Sequence, residues 1–355
     1  MRDKGIVKGR GATLQIEGRF ENIARETFDD GWGAADEALP SFNTTVTAER
    51  ARTIIMRNDS PDIPLSQSIN AYRGCEHGCI YCYARPSHGY LNLSPGLDFE
   101  TKLFVKPDAA QLLRAELAKP SYRCEVIALG SNTDPYQPIE REWKITRQIL
   151  EVLCECAHPV AIVTKSALVE RDLDLLVPMA QRNLARVYIS VTTLDSELAR
   201  KMEPRASSPR RRLEAIKTLN DAGVPCGVMV APIIPFLTDA GLEDVLEAAH
   251  AHGAREAGYT LVRLPYEVKD LFRGWLAEHY PLKAAHVMSR LHEMRGGRDN
   301  DPEFGSRMRG LGPFADLLAQ RFRMACERLG FNGGREPLDT DCFERPLRNG
   351  QLELF

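Results

Sequence analysis

Six short apolar stretches recur through the middle of this chain, and most of them are β-branched and unalternating. Strands that are buried on both faces have this composition, because neither side of the sheet meets water. After the second stretch the spacing is roughly 30 residues, which is the size of a βαβ unit. The six predicted strands are residues 69–72, 126–129, 160–164, 187–191, 227–231 and 259–262.

Helical patterns lie between several of these strands. Apolar residues keep helical spacing over residues 213–219, behind Ser208 as N-cap and Pro209 at the first helical position, and Gly223 ends the pattern. Strands that alternate with helices favour an α/β fold in which right-handed crossovers join parallel strands. The sequence therefore predicts a parallel sheet of six strands that forms an open or closed barrel.

Four segments are predicted along the chain. Residues 1–60 are polar and glycine-bearing without a sustained period, which indicates an extended N-terminal arm. Residues 61–265 contain the six strands and form the core barrel. Residues 266–330 carry helical patterns and form a C-terminal helical extension. Residues 331–355 are loose and polar, which indicates a flexible tail.

The composition is that of an ordinary globular protein. Of the 355 residues, 43% are hydrophobic and 27% are charged. A net charge of -3 gives no overall attraction to nucleic acid, so any such contact must come from a local patch. No run approaches the ~20 apolar residues of a membrane span, and the N-terminus lacks the hydrophobic core of a signal peptide. A cytoplasmic, reducing location is expected.

Cys75, Cys79 and Cys82 form a Cys-x3-Cys-x2-Cys run, which is the strongest indication of function. Three closely spaced thiolates suit a metal cluster in which one metal position has no protein ligand. Structural zinc usually takes four protein ligands, and no second pair follows here, although His77 is a candidate fourth ligand. Bacterial ferredoxins use a different spacing and a fourth Cys. Disulfides are not expected, since nine cysteines is an odd number and nothing marks secretion.

Polar groups follow the ends of several predicted strands. In a barrel the carboxyl ends of the strands meet at one mouth, where the reacting groups lie. Each motif alone also fits a turn or a solvated loop. The evidence for a functional site is that such motifs recur at successive strand ends. The candidates are Ser131 after the second strand, Lys165 after the third, Ser190 on the fourth and Arg205 beyond it.

The Cys-x3-Cys-x2-Cys spacing resembles the ligand pattern of the radical S-adenosylmethionine (SAM) superfamily. Five segments make the chain similar in particular to the spore photoproduct lyase-like branch, which is related to DNA-repair photolyases. They are Tyr72-Arg73-Gly74-Cys75, Cys82-Tyr83-Ala84-Arg85, Thr164-Lys165-Ser166, Glu203-Pro204-Arg205 and Arg212-Leu213-Glu214-Ala215. The similarity covers about residues 65–265. It implies a partial (β/α)6 TIM-type barrel in which Cys75, Cys79 and Cys82 hold a [4Fe-4S] cluster whose fourth iron binds SAM.

The resemblance also implies roles for the strand-end residues. Lys165 or Arg205 is expected to hold the SAM carboxylate. Ser131 and Ser190 are expected to hydrogen-bond its amino-acid or ribose portion. Tyr81 occupies the place where members keep a hydrophobic residue against the adenine. A reductant such as flavodoxin or ferredoxin is the expected electron donor.

One sequence difference from the lyase means that the lyase reaction cannot be assigned to this chain by resemblance. In the lyase a Cys near the end of the second strand returns a hydrogen to the product. Here residues 128–132 read Ala-Leu-Gly-Ser-Asn, and no Cys follows Cys124 in this region. The sequence therefore predicts reductive cleavage of SAM and radical chemistry, with nucleic acid favoured as the substrate but the lyase reaction itself not implied.

The last residues suggest a protein partner. Gln351, Leu352, Leu354 and Phe355 match the Gln-Leu-x-Leu-Phe peptide by which bacterial repair and replication proteins dock the sliding clamp. Such peptides place a few apolar anchors in a preformed groove. Alternatively, these apolar residues fold back onto the barrel. The clamp interpretation supports a second hypothesis, a clamp-associated DNA-binding protein whose iron–sulfur cluster is structural or redox-sensing.

Overall fold

Two β-sheets organise the chain in this structure, a computed structural model that describes residues 10–14, 16, 18–20, 43–334 and 336–347. The strands are β1 (Thr45–Ala48), β2 (Ile55–Arg57), β3 (Gln67–Ile69), β4 (Tyr72–Arg73), β5 (Lys102–Val105), β6 (Ile127–Leu129), β7 (Val160–Thr164), β8 (Ala185–Ser190), β9 (Cys226–Ile233) and β10 (Ala257–Leu261). The larger sheet has seven strands in the order β10-β9-β8-β7-β6-β3-β2, and the smaller has the order β1-β5-β4.

Six strands of the larger sheet are parallel, which confirms the predicted α/β class. β3 pairs with β6, and each strand from β6 to β9 pairs with the next one in the chain. β2 adds an antiparallel edge beside β3. The central strands are buried on both faces, since every residue of β6 and most residues of β7 and β8 are buried. Burial on both faces is the reason for their continuous apolar composition.

Helices pack around the larger sheet and form the C-terminal part of the described chain. They are α1 (Leu97–Thr101), α2 (Ala109–Leu117), α3 (Glu140–Trp143), α4 (Ile145–Glu155), α5 (Leu173–Gln181), α6 (Ser196–Met202), α7 (Pro209–Asp221), α8 (Leu242–Ala251), α9 (Val268–His279), α10 (Pro281–Met294), α11 (Ser306–Arg309) and α12 (Pro313–Leu329). As predicted, Ser208 caps α7 by accepting a hydrogen bond from the Arg211 amide, and Gly223 follows the helix with φ +84°. Among the described residues, no helix is both long enough and apolar enough to span a bilayer.

The first predicted strand, residues 69–72, is wrong in one respect, because it divides between the two sheets. β3 ends at Ile69 and β4 begins at Tyr72. Between them, Asn70 turns away from the ladder: its carbonyl accepts a hydrogen bond from Lys106 at 2.8 Å, and its Oδ1 accepts one from the Asn132 amide at 3.1 Å. These side-chain contacts replace strand pairing, so the chain leaves the large sheet just before the cysteine run.

The larger sheet curves until its two edges approach each other at the mouth. In a flat sheet β10 and β2 would lie about 29 Å apart, at about 4.8 Å per strand step. Here the turn after β2 meets the segment beside β10: Asp62 accepts hydrogen bonds from the Gly305 amide at 2.6 Å and from Arg307. Arg295 joins this segment to β10 by donating to the Val262 carbonyl at 2.8 Å. No ladder joins β10 to β2 in the described chain, so the barrel is partial.

The described part of the predicted tail, residues 336–347, crosses the end of the barrel opposite the mouth. The Phe343 ring lies 5.6 Å from that of Tyr122 and 5.3 Å from that of His158. The Glu344 amide donates to the Cys156 carbonyl at 2.8 Å, and Arg345 donates to the Leu117 carbonyl at 3.1 Å. These contacts close the bottom of the core.

The stability of the protein should depend on pH through the buried imidazole of His158, which lies at this end of the barrel. Burial lowers its pKa to about 4 from the ordinary 6.5. A pKa that is lower in the folded state contributes stability in full above pH 6.5, and that stability is lost as the pH falls toward 4. We expect wild-type protein to lose about 2 kcal/mol more unfolding free energy between pH 7 and pH 5 than a His158→Gln variant does. Urea unfolding of both proteins at the two pH values checks this, and equal losses would contradict it.

Candidate active site

The cysteine run lies on a tight loop that follows β4. Two glycines with positive φ, Gly74 at +76° and Gly78 at +67°, let it turn sharply. A Cβ on Gly78 would lie 2.8 Å from a carboxylate oxygen of Glu100. The Cys75 amide donates to the Phe99 carbonyl at 3.0 Å, and the Cys82 amide donates to the Cys79 carbonyl at 3.1 Å. The loop therefore places three thiols in a fixed and crowded arrangement.

A buried arginine supports this loop from below. Arg85 is fully buried, and its Nε donates to the Cys79 carbonyl at 2.9 Å while Nη2 donates to the Gly78 carbonyl at 3.1 Å. Nη2 also pairs with Glu100 Oε1 at 2.6 Å. The same carboxylate accepts from the Gly11 and Ala12 amides at 2.9 and 2.8 Å, so a segment from near the N-terminus lies directly under the loop.

A second set of contacts holds the other side of the loop. The His77 Nδ1 lies 3.3 Å from Asp134 Oδ2, and Asp134 also accepts hydrogen bonds from the Thr164 hydroxyl at 2.6 Å and the Lys165 amide at 2.8 Å. Burial acts to raise the pKa of Asp134, but His77 and these hydrogen bonds outweigh it and lower the pKa to about 2. Asp134 is therefore a carboxylate that ties the loop to the end of β7.

The three thiols are neighbours that do not converge on one point. Burial, then Asp134, and then the other two thiols raise the pKa of Cys75. Yet no three or more His, Cys, Asp or Glu side chains within the described ranges form a group that could hold a single metal ion. An iron–sulfur cubane binds each thiolate to a separate iron, so its ligands surround the cluster and do not meet at one ion. The donor set of three thiols fits such a cluster.

Burial also explains why these thiols need a cationic partner. It raises the pKa of Cys79 to about 12, and it raises that of Cys82 while the charges of Arg85 and Lys165 act in the opposite direction. A buried thiolate is stable only beside positive charge, and the irons of a cluster provide it. Lys165 lies in the same part of the site, since its Nζ is 5.9 Å from the centre of the Tyr81 ring.

Tyr81 is held in the wall of the site by a buried carboxylate. Its hydroxyl donates to Glu203, which also accepts from the Thr192 hydroxyl at 2.6 Å and from the guanidinium of Arg212. Burial acts to raise the pKa of Glu203, but Arg212 and Lys165 outweigh it and lower the pKa to about 2. This network fixes the Tyr81 ring beside the cysteine run.

The remaining predicted residues occupy different positions around the mouth. Ser190 is buried, and its carbonyl accepts from Arg212 at 3.0 Å. The Ser131 hydroxyl lies 3.3 Å from Asn70 Nδ2. Arg205 Nη2 pairs with Glu76 Oε1 at 3.1 Å. The structure thus brings Tyr81 and Lys165 together beside the thiols, while Arg205 is engaged by the cysteine loop itself.

Comparison with known proteins identifies the family. Residues 69–249 match the model of the radical SAM superfamily. This chain belongs to that superfamily. It is therefore a radical SAM enzyme whose cofactors are a [4Fe-4S] cluster and SAM. When bound, the cluster supplies the electron that cleaves SAM reductively and starts radical chemistry.

Several relatives and one fold neighbour refine this placement. Uncharacterized proteins of Mycobacterium bovis and Mycobacterium tuberculosis are 39% identical over 266 residues, which is 74% of this chain and 76% of theirs. A radical SAM Nalpha-GlyT isomerase of Pseudomonas phage M6 is 26% identical over 196 residues, 52% of this chain and 38% of its own. Spore photoproduct lyase complexed with dinucleoside spore photoproduct has a TM-score of 0.57 at 18% identity, covering 83% of this chain and 82% of its own. The shared fold agrees with the predicted branch.

The thiols of the triad stay the predicted ligands of the cluster, and the Arg85–Glu100 pair fixes the loop that carries them. The structure adds two carboxylates, Asp134 and Glu203, to which sequence analysis assigned no role. Glu203 lies in one of the five segments that carry the family resemblance, and Asp134 follows the second predicted strand, but only the folded chain reveals their partners.

Proposed function

We propose that this radical SAM enzyme acts on nucleic acid. The observation that carries the proposal is a set of exposed aromatic rings beside the barrel mouth, each with an arginine near its face. Tyr83, Tyr266 and Phe304 are 47%, 61% and 59% exposed. Exposed rings next to guanidinium groups provide stacking for bases. Arg263 is the main source of charge for phosphates, because Arg19 and Arg307 are paired with Glu267 and Asp62. This is the local patch that a chain with net charge -3 requires for such a partner.

Geometry supports the pairing of each ring with one arginine. The guanidinium carbon lies 5.5 Å from the ring centre for Arg263 and Tyr83, 3.6 Å for Arg19 and Tyr266, and 4.5 Å for Arg307 and Phe304. Tyr83 directly follows the last cysteine of the triad, Tyr266 follows β10, and Phe304 precedes α11, which packs against β10. The fold likeness to a lyase crystallised with a dinucleoside photoproduct supports the same substrate class.

Formation of 5′-deoxyadenosine tests the proposal. Anaerobically reconstituted protein is incubated with dithionite and SAM, alone or with single-stranded DNA, duplex DNA or RNA. We expect at least one nucleic acid to raise the rate of SAM cleavage above the rate without substrate. Nucleic acid that binds without raising the rate would favour the non-catalytic hypothesis. The absence of both binding and stimulation with all three polymers would contradict a nucleic-acid substrate.

For SAM itself, we propose Lys165 as the cation that holds the carboxylate, because it lies beside Tyr81 and the thiols. A hydrogen bond to a charged group contributes about 1.5–3 kcal/mol, so Lys165→Met should weaken SAM binding by about 10- to 100-fold. Equilibrium dialysis of reconstituted protein measures this. Lys217→Met, in an exposed ion pair with Asp221, is the matched control. Equal SAM affinity in the two variants would contradict the role of Lys165.

Ser131, Ser190 and Arg205 stay predicted SAM contacts. The Ser131 hydroxyl and the Arg205 guanidinium already have protein partners, Asn70 and Glu76, so each would share its donor with the ligand. Tyr81 is proposed to pack against the adenine, with Glu203 and Thr192 fixing its ring.

The sliding-clamp peptide, Gln351, Leu352, Leu354 and Phe355, lies outside the described residues and stays a prediction. Deleting residues 351–355 should abolish co-elution with a bacterial clamp on gel filtration. Cluster absorbance should not change, because the deletion removes none of the three cysteines. Co-elution that survives the deletion would contradict the prediction.

A further inference from the structure

Arg263 follows β10 at the barrel mouth, and within the part of the chain that the structure describes its guanidinium has no anionic partner at hydrogen-bond distance. Its Nη1 lies 3.8 Å from Met308 Sδ, a weak acceptor. Its buried Nε has no hydrogen-bond partner among the described residues. Asp62, which attracts Arg263 from further away, is bonded to Arg307 instead.

The positive charge around this side chain is concentrated and partly desolvated. Burial, and after it the neighbouring charge of Arg307, lowers the pKa of Arg263. The charge of Arg263 in turn acts to lower the pKa of Arg295, for which burial is the larger cause. A desolvated cation without a partner is costly. A ligand oxyanion that pairs with Arg263 would remove that cost.

The surroundings of Arg263 place such an anion beside the cysteine run. The Tyr83 ring lies under its guanidinium, 5.5 Å away, and Tyr83 is the residue after Cys82. The Tyr83 hydroxyl donates to the Ser131 carbonyl at the end of β6, so the ring is held from the opposite side. A group bound at Arg263 is therefore next to a fixed aromatic surface and close to the cysteine run.

We infer that Arg263 is the residue that binds a phosphoryl oxyanion of the substrate, and that it positions the neighbouring base or ring on Tyr83. A planar guanidinium binds phosphate through two parallel hydrogen bonds, which Lys cannot reproduce. The inference rests on the proposed function, since a phosphodiester is the anion that a nucleic acid offers at every residue. A free phosphate ester offers the same chemistry, and the test separates these sources.

Binding by the reconstituted holoprotein tests this role. The probes are a ten-residue oligothymidine, thymidine 5′-phosphate and thymidine, measured at several salt concentrations with wild type, Arg263→Gln and Arg263→Lys. Arg323→Gln, which removes an exposed arginine of α12, is the charge-matched control. We expect Arg263→Gln to raise the Kd of the oligonucleotide by about tenfold or more. The slope of log K against log salt should fall in magnitude by about 0.7, the value of one lost contact on a single strand.

The other outcomes are also decisive. Arg263→Lys should recover the salt slope but only part of the affinity, and thymidine binding should not change in any variant. Equal Kd and slope in Arg263→Gln and Arg323→Gln would overturn the role of Arg263 and leave the proposed function intact. If wild type binds thymidine 5′-phosphate through Arg263 but neither the oligonucleotide nor duplex DNA or RNA, the subsite stands and the nucleic-acid proposal fails. Binding of none of these phosphorylated probes by wild type would overturn both. Iron content and melting temperature show whether each variant is folded.

Discussion

Serine at position 79 should leave a folded chain that holds no intact [4Fe-4S] cluster and forms no detectable 5′-deoxyadenosine. Serine is nearly isosteric with cysteine, but its hydroxyl is a hard donor that stays protonated at neutral pH and is a poor ligand for cluster iron. The remaining thiols of Cys75 and Cys82 can anchor only two irons. Iron and sulfide content, visible absorbance and product formation with SAM and dithionite measure the effect of Cys79→Ser.

The matched control is Cys154→Ser, because Cys154 lies on α4, away from the triad. This variant should keep wild-type iron content and SAM cleavage. If Cys79→Ser retains a full cluster and product formation, then the three-thiolate assignment is wrong. Loss of iron from both variants would mean that assembly fails for a reason other than the missing ligand.

Arg85→Met should destabilise the protein by about 3–5 kcal/mol, the usual effect of removing one partner of a buried ion pair. All five N–H donors of Arg85 are used: besides Gly78, Cys79 and Glu100, it donates to the Pro95 and Gly96 carbonyls at 3.1 and 2.9 Å. Methionine fills similar volume but removes all five of these donated hydrogen bonds. Urea unfolding under anaerobic conditions measures the change.

A surface pair provides the control for this prediction. Arg210 and Glu214 form an i,i+4 pair with side chains 88% and 40% exposed, and such pairs contribute about 0.5 kcal/mol. Arg210→Met should therefore unfold almost as wild type does. Arg85→Met should also lose iron faster to a chelator, because Arg85 holds the loop that carries Cys79. A loss of stability below about 1 kcal/mol would show that the loop does not depend on this pair.

The strands of the barrel were predictable because strands buried on both faces are continuously apolar in sequence. Predicted residues 160–164 coincide with β7, and the predictions for β6, β8, β9 and β10 overlap the observed strands with ends that differ by one or two residues. The first strand was not predictable in this way. Its break at Asn70 depends on contacts with Lys106 and Asn132, which lie far along the chain and leave no mark on the local pattern.

In the candidate site, too, the features that depend on local sequence were predictable, and those that depend on distant residues were not. The cysteine triad is local, so spacing alone was enough to predict the cluster, and family membership confirms the cofactors. Glu203 and Tyr81 are 122 residues apart, and a glutamate in a polar loop gives no sign that it is buried. Arg85 was quoted only as part of a motif, because an arginine beside a turn usually lies in solvent. The partners that fix the loop required the folded chain.

The contact between Asp62 and Arg307 has a mechanical consequence. Within the described residues, backbone ladders join the other neighbouring strands of the large sheet, whereas side chains and one amide join its two edges beside β2 and β10. Separating the two sheet edges here breaks one ion pair and a few hydrogen bonds, and no hydrogen bonds between paired strands. High ionic strength weakens such an ion pair, so salt should loosen the wall between these edges, beside Arg263 and Tyr83.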